Sequence, residues 1–307
     1  MSKIAAVFPG QGSQTVGMLA ELAEQYPIVI DTFKQASDVL GYDLWALVQD
    51  GPVEQLGETF RTQPALLTAS VAIWRVWQQQ ELPQPELLAG HSLGEYSALV
   101  CADVIDFEQA VKLVEQRGHF MQEAVPAGIG AMSAIIGLAD DAIATACSEA
   151  AQGEVVSPVN YNSPGQVVIA GNKAAVERAN VLCKEAGAKR ALPLPVSVPS
   201  HCELMKPAAE KLATALAEIE FKTPTIPVVN NVDVAVETDP AAIKDALVRQ
   251  LYRPVRWTEC VEYMAQQGIE TLVEQGPGKV LTGLTKRINR SLSSVAVNTP
   301  EALDAAK

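Results

Sequence analysis

The stretch Leu87-Leu88-Ala89-Gly90-His91-Ser92-Leu93-Gly94-Glu95-Tyr96-Ser97-Ala98-Leu99-Val100 decides the fold. Its apolar start reads as a short strand and its end as a helix, with Gly90-His91-Ser92-Leu93-Gly94 as the turn between them. In that context G-x-S-x-G is a nucleophile elbow. The turn is crowded, so its flanking positions must lack side chains. Ser92 then stands at the strand end, near the free N–H groups of the following helix, where an oxyanion is stabilised. The chemistry implied is covalent acyl transfer on serine. A glycine-flanked serine can also simply cap a helix; the strand before and the helix after favour the elbow.

Outward from the elbow, short apolar strands alternate with longer helical patterns, which indicates an α/β fold with a parallel sheet. Ile4–Phe8 and Leu87–Gly90 read as strands, with helices expected near Gln14–Gln25, Pro27–Leu40, Pro64–Gln80 and Asp106–Glu123, the last capped by Asp106. The pattern then changes. Ala131–Gly137 (strand), Asp140–Ala151 (helix), Val155–Tyr161 and Gln166–Gly171 (strands), Lys173–Gly187 (helix) and Ala188–Leu194 (strand) follow the order β-α-β-β-α-β of a ferredoxin-like unit. Residues 126–197 therefore read as an inserted ferredoxin-like subdomain, and 1–125 with 198–307 as an α/β-hydrolase-like core. After the insert, Cys202–Glu218, Ala241–Leu251, Trp257–Gln267 and Lys279–Ile288 read as helices and Val228–Asn230 and Thr271–Glu274 as strands. Pro300–Lys307 is expected to fray.

The chain has 307 residues, 48% hydrophobic and 19% charged, enough for a large core. A net charge of −13 argues against nucleic acid as a partner, since phosphate binding needs a positive field. No apolar run is long enough to suggest a membrane span. Met1–Gly10 reads as a first strand broken at Pro9-Gly10, and not as a signal peptide. The five cysteines are scattered without a C-x-x-C pair, which points to reduced thiols in a cytoplasm and to no metal site.

A serine nucleophile needs a base. Of three histidines, His91 lies inside the elbow and should point away from Ser92, and His119 falls on an amphipathic helix. His201, in Val198-Pro199-Ser200-His201 at the junction back from the insert, is the base by elimination. No aspartate stands out as a third group, and a backbone carbonyl could fix the histidine tautomer instead. Arg117 reads either as a surface arginine or as a fork for a substrate carboxylate. Gly10-Gln11-Gly12-Ser13-Gln14 lacks the spacing of a phosphate loop; it could equally supply an N–H to an oxyanion hole.

Taken in order, Phe8-Pro9-Gly10-Gln11-Gly12-Ser13-Gln14, Thr62-Gln63-Pro64-Ala65, Gly90-His91-Ser92-Leu93-Gly94-Glu95, Gln116-Arg117-Gly118, Asn162-Ser163-Pro164-Gly165-Gln166, Val198-Pro199-Ser200-His201 and Gly276-Pro277-Gly278-Lys279-Val280-Leu281 closely resemble the bacterial malonyl-CoA:acyl carrier protein transacylases, from Ile4 to about Arg287. The resemblance implies that Ser92 is the nucleophile and His201 the base. It implies an oxyanion hole from the N–H groups of Gln11 and Leu93, Arg117 on the malonyl carboxylate, and the Gln250 carbonyl orienting His201. Gln63 would line the site. No cofactor is implied beyond the two substrates, malonyl-CoA and the phosphopantetheine-bearing acyl carrier protein, and a monomer is expected. Carrier proteins of this family are acidic, so docking on a chain of this charge needs a local basic patch. Lys189, Arg190, Lys279, Lys286 and Arg287 are the candidates, against the plainer view of them as solvated surface.

Three other functions carry the same elbow. A related acyltransferase would take methylmalonyl or another extender, but Val198-Pro199-Ser200-His201 resembles the malonyl form. A serine esterase or thioesterase would discharge the ester to water, and Arg117 and the missing acid weigh against it. A carrier-binding module without activity would not need the Ser92 and His201 pair.

Overall fold

The computed structural model describes residues 2–196 and 198–306. Its strands in chain order are β1 (Ile4–Phe8), β2 (Leu87–Gly90), β3 (Gly130–Ile136), β4 (Val156–Ser163), β5 (Gln166–Asn172), β6 (Arg190–Pro193), β7 (Val228–Val229), β8 (Thr271–Glu274) and β9 (Ser293–Ala296). They form two sheets. The first, ordered β7-β2-β1-β8-β9, is parallel throughout. The second, ordered β4-β5-β3-β6, is antiparallel and carries the helices Asp140–Ala151 and Lys173–Glu185. The fold is therefore the expected α/β-hydrolase-like core with an inserted ferredoxin-like unit. Ser197, where that insert was expected to end, lies outside the described residues.

Parallel strands need both faces covered, so their residues are apolar on both sides. Ala5 and Val7 pack with Trp257, Val261 and Met264 on one face. Ala6 and Phe8 pack on the other with the long helix Thr59–Gln79, most of whose residues are buried. Pro64 sits in the second turn of that helix, where it forfeits one backbone bond, to Phe60.

The insert is sewn to the core along the outer edge of β4. Tyr161 donates its N–H to the Val255 carbonyl (3.0 Å), and Val255 donates its own to Val159 (2.8 Å). The Thr258 hydroxyl donates to the Tyr161 carbonyl at 3.0 Å. The strand edge is thus paired rather than exposed.

Several boundaries differ from the sequence reading. The first helix covers only Ala20–Gln25, because Gly17 and Leu19 take left-handed conformations just before it. The helix expected from Pro64 starts earlier, at Thr59. Cys202–Glu218 divides into a 3-10 turn, Glu203–Met205, and a helix, Lys206–Ala217. The helices Leu44–Asp50 and Val53–Leu56 and strand β9 were not anticipated. Pro300–Lys307 does not simply fray: Pro300–Asp304 is a helix capped by Thr299, and Leu303 is fully buried. Lys307 itself is outside the described residues.

The elbow places the helix Leu93–Cys101 against β1 and β2 with no room for side chains. A Cβ on Gly90 would lie 1.8 Å from the Gly94 carbonyl carbon, and one on Gly94 would lie 2.0 Å from the Phe8 carbonyl oxygen. Both obstacles are backbone, which cannot rotate away. Gly94→Ala is therefore expected to lower unfolding free energy by about 1–3 kcal/mol or more, the scale of forced overpacking. Urea denaturation of parent and variant measures this, and equal midpoints with equal slopes would contradict the close approach.

Candidate active site

Ser92 is held in a sparsely populated conformation, φ 53° and ψ −110°, at the start of the helix Leu93–Cys101. His201 also has positive φ, at 63°. Such backbone costs of order 1–3 kcal/mol per residue and persists only where surrounding bonds over-determine it. Those bonds are present. Ser92 N–H donates to Asn231 Oδ1 (2.8 Å), and Asn231 Nδ2 donates to the Gly90 carbonyl (2.7 Å). Gln250 Nε2 donates to the Ser92 carbonyl at 3.1 Å. His201 N–H donates to the Leu251 carbonyl at 3.0 Å.

Ser92 Oγ lies 2.7 Å from His201 Nε2, and His201 Nδ1 lies 2.7 Å from the Gln250 backbone oxygen. A carbonyl can only accept, so Nδ1 carries the proton and Nε2 is left free to take one from Ser92. His201 is 3% exposed. Burial, and then the charge of Arg117, push its imidazole down to about 3, so it is neutral at physiological pH and available as a base.

Arg117, on the helix Phe107–Ala124, is 1% exposed, which removes the surface reading. Its Nη1 donates to Gln63 Oε1 (2.7 Å) and its Nη2 to Gln250 Oε1 (3.1 Å), while Nη2 lies 3.5 Å from Ser92 Oγ. Among the described residues its Nε has no hydrogen-bond partner, and the Tyr96 ring centroid lies 5.3 Å from Cζ. Among the described residues no carboxylate lies within ion-pair distance of it. A buried guanidinium held by neutral oxygens and aimed at a serine can bind an anionic group brought to that serine.

Ser92, His201, Arg117, Gln63, Gln11 and Leu93 all line one pocket of about 110 Å³, whose far wall is Met132, Asn160, Leu194 and Val196 of the insert and its return segment. Its volume suits a short acyl group. Leu93 begins a helix, so its N–H has no acceptor within that helix. His91 points away from Ser92 as expected, with Nε2 2.8 Å from Asn162 Oδ1 on β4. His119 is exposed and stacks on Phe60, outside the site. The five cysteines are free and buried, and burial pushes the Cys202 thiol up to about 11.

The four docking candidates nearest the insert converge. Arg190 on β6 pairs with Ile136 on β3, which pairs with Gln166 on β5. Arg287 Nη1 reaches Gln166 Oε1 at 2.6 Å from the end of the helix Val280–Ile288. The Lys189 stem packs over Gly137 beside them, and Lys286 precedes Arg287; all four are exposed. Lys279 stands apart from these contacts, at the other end of its helix.

Sequence reasoning missed Asn231 and gave Glu95 no role. Asn231 lies two residues past the end of β7, a region where α/β proteins place ligand-binding groups. Glu95 is quoted in the elbow motif, but a buried acid looks like any other acid in sequence. It is 2% exposed, and its Oε2 accepts from Asn231 N–H (3.0 Å) and Gln250 Nε2 (2.9 Å). Burial pushes its carboxyl up to about 7, against the opposing pull of these two donors and Arg117.

An elbow serine on a neutral histidine, at the start of a helix and with a buried cation beside it, defines a serine acyltransferase type of site on an α/β-hydrolase-like core. The model of the acyl transferase domain matches residues 6–302. A malonyl CoA-acyl carrier protein transacylase of Escherichia coli K12 is 71% identical over 306 residues, covering 100% of this chain and 99% of the relative. A crystal structure of an acyl carrier protein S-malonyltransferase from Vibrio cholerae is 77% identical with a TM-score of 0.98, covering 100% of both chains. A structure of a malonyl-transacylase in complex with its type II PKS acyl-carrier protein is 67% identical with a TM-score of 0.99, covering 99% of both. The chain belongs to the malonyl CoA-acyl carrier protein transacylase family of acyl transferases.

The His201 environment makes a spectroscopic prediction. Titrated by NMR from pH 8 to pH 5, the His201 ring should stay neutral with the proton on Nδ1, because its folded value is depressed to about 3. A midpoint near the unperturbed 6.5 would contradict the buried base.

Proposed function

We propose that this chain transfers the malonyl group from malonyl-CoA to the phosphopantetheine thiol of acyl carrier protein through a malonyl ester on Ser92. The observation that carries the reading is the Ser92–His201 pair with the Arg117 fork beside the same hydroxyl. In the first half-reaction Ser92 Oγ passes its proton to His201 Nε2 and attacks the thioester carbonyl. The C–S bond then breaks, and the sulfur leaves with the proton from Nε2. In the second, the pantetheine thiol gives its proton to His201 Nε2 and attacks the ester carbonyl; the bond from that carbon to Ser92 Oγ breaks, and Oγ takes the proton back from Nε2. One nucleophile serving two half-reactions implies ping-pong kinetics.

In this reading Gln11 and Leu93 N–H groups hold the oxyanion, Arg117 and Gln63 seat the malonyl carboxylate, and the Gln250 carbonyl stabilises the transient imidazolium. The substrate carboxylate also screens the Arg117 charge from His201, so the base strengthens when a malonyl group is in place. The residue roles call for no cofactor. The division into a core of 1–125 and 198–307 and an inserted unit of 126–197 belongs to the same proposal, with the acyl group seated between them. The reaction suits a monomer in the cytoplasm. Among the described residues no helix is long and apolar enough to cross a membrane.

Carrier docking is assigned to Lys189, Arg190, Lys286 and Arg287, whose convergence beside Gln166 supports the patch. Lys279 has no contact tying it to that group.

Intact-protein mass after mixing with malonyl-CoA tests both parts. The parent should gain a malonyl adduct that Ser92→Ala does not, and holo acyl carrier protein should discharge it far faster than water. Discharge by water at the same rate would mean a hydrolase. Charge reversal at Arg190 and Lys286 should slow discharge by the carrier, and unchanged discharge would remove the patch.

A further inference from the structure

A base and an acid are buried beneath Ser92, oppositely charged wherever Glu95 is ionised, and neither has a direct ion-pair partner among the described residues. Arg117 is 1% exposed and Glu95 2% exposed. A single amide joins them: Arg117 Nη2 donates to Gln250 Oε1 at 3.1 Å, and Gln250 Nε2 donates to Glu95 Oε2 at 2.9 Å. Arginine only donates and an ionised carboxylate only accepts, so the order of the Gln250 amide is fixed by the charges at its two ends. Gln250 is fully buried, and no water is needed to complete the chain of bonds. An isolated buried charge is expensive, and each of these two is the other's natural compensation. If Glu95 met the guanidinium directly it would neutralise it at the fork; the two glutamine oxygens take one N–H from each Nη, leaving the charge unneutralised and the second N–H of each for an incoming carboxylate.

We propose that Glu95 is a positioning residue, the counter-charge of Arg117 held one amide away, which seats the guanidinium while leaving its fork open for the substrate carboxylate. The inference rests on the malonyl reading of the Arg117 site. Glu95 touches no substrate. Its negative charge opposes the incoming carboxylate through the same low-dielectric interior, so it tempers the affinity of the fork as well as holding it.

Glu95→Gln tests this, because a glutamine keeps the shape and an oxygen for both donors while removing the charge. At pH 8, where the Glu95 carboxyl is ionised, the variant should bind monomethyl malonate, a single carboxylate on a malonyl arm, roughly tenfold more tightly than the parent by calorimetric titration. Its KM for malonyl-CoA should fall by a similar factor with kcat little changed, since the gain is shared by ground and transition states. Acylation by acetyl-CoA, whose acyl group carries no carboxylate, should show no such gain. Glu95→Asp keeps the charge and should show no gain. Unchanged or weaker monomethyl malonate binding in Glu95→Gln would overturn the proposal, as would an equal gain in Glu95→Asp. A purely structural role predicts equal losses with both acyl donors. Calorimetry requires no transfer step. A gain in binding without a malonyl adduct on the parent would therefore fail the transfer reading and leave the counter-charge standing.

Discussion

A guanidinium buried under a serine hydroxyl is the constraint on which the rest of this site depends. Arg117 reaches the pocket from the helix Phe107–Ala124, and its charge is solvated by amide oxygens instead of water. That arrangement explains the two glutamines, Gln63 and Gln250, bonded to the guanidinium: each supplies an acceptor without neutralising the charge. It also helps to explain the depressed basicity of His201, since burial and the nearby positive charge act in the same direction. A serine hydrolase has no evident use for such a group. An enzyme that must prefer a carboxylate-bearing acyl group does, because a buried polar site rejects analogues that leave it unpaired.

The strain at Ser92 and His201 is supported by the same few residues. Asn231 and Gln250 bond both sides of the Ser92 backbone, and Glu95 bonds both Asn231 and Gln250. Gln250 serves twice, with its side chain under the elbow and its carbonyl on His201 Nδ1. The usual acid of a Ser-His-acid triad is thus replaced by a backbone oxygen, while a real acid sits behind the nucleophile in contact with neither Ser92 Oγ nor the imidazole. The clamp of β4 onto Val255 fixes the insert's wall of the pocket against this machinery.

Much of this was legible before any coordinates. Gly90 and Gly94 predicted the elbow because only a missing side chain permits the helix to approach β1, and the Gly94-to-Phe8 spacing bears that out. The β-α-β-β-α-β order of the insert was read from alternating and helical periodicities, and the antiparallel sheet has the strand order of that unit. Other features leave no local signal. Burial of Arg117 depends on tertiary packing, so surface and core arginines look alike in sequence. Gln250 acts on His201 through its backbone, which any residue possesses, and it entered only through the family resemblance. Glu95 and Asn231 are separated by more than a hundred residues in sequence and meet only in the folded core. The short helices after Leu44 and Val53 lack enough turns to establish a period.

Removing the cation alone shows whether Arg117 selects the acyl group. In Arg117→Ala, second-order rates of Ser92 acylation by malonyl-CoA and acetyl-CoA are compared with those of the parent by intact-protein mass. Malonyl transfer should fall by about tenfold or more relative to acetyl transfer, the scale of a hydrogen bond to a charged group. Equal losses with both donors would mean that the buried guanidinium supports the fold of the site and does not choose the substrate.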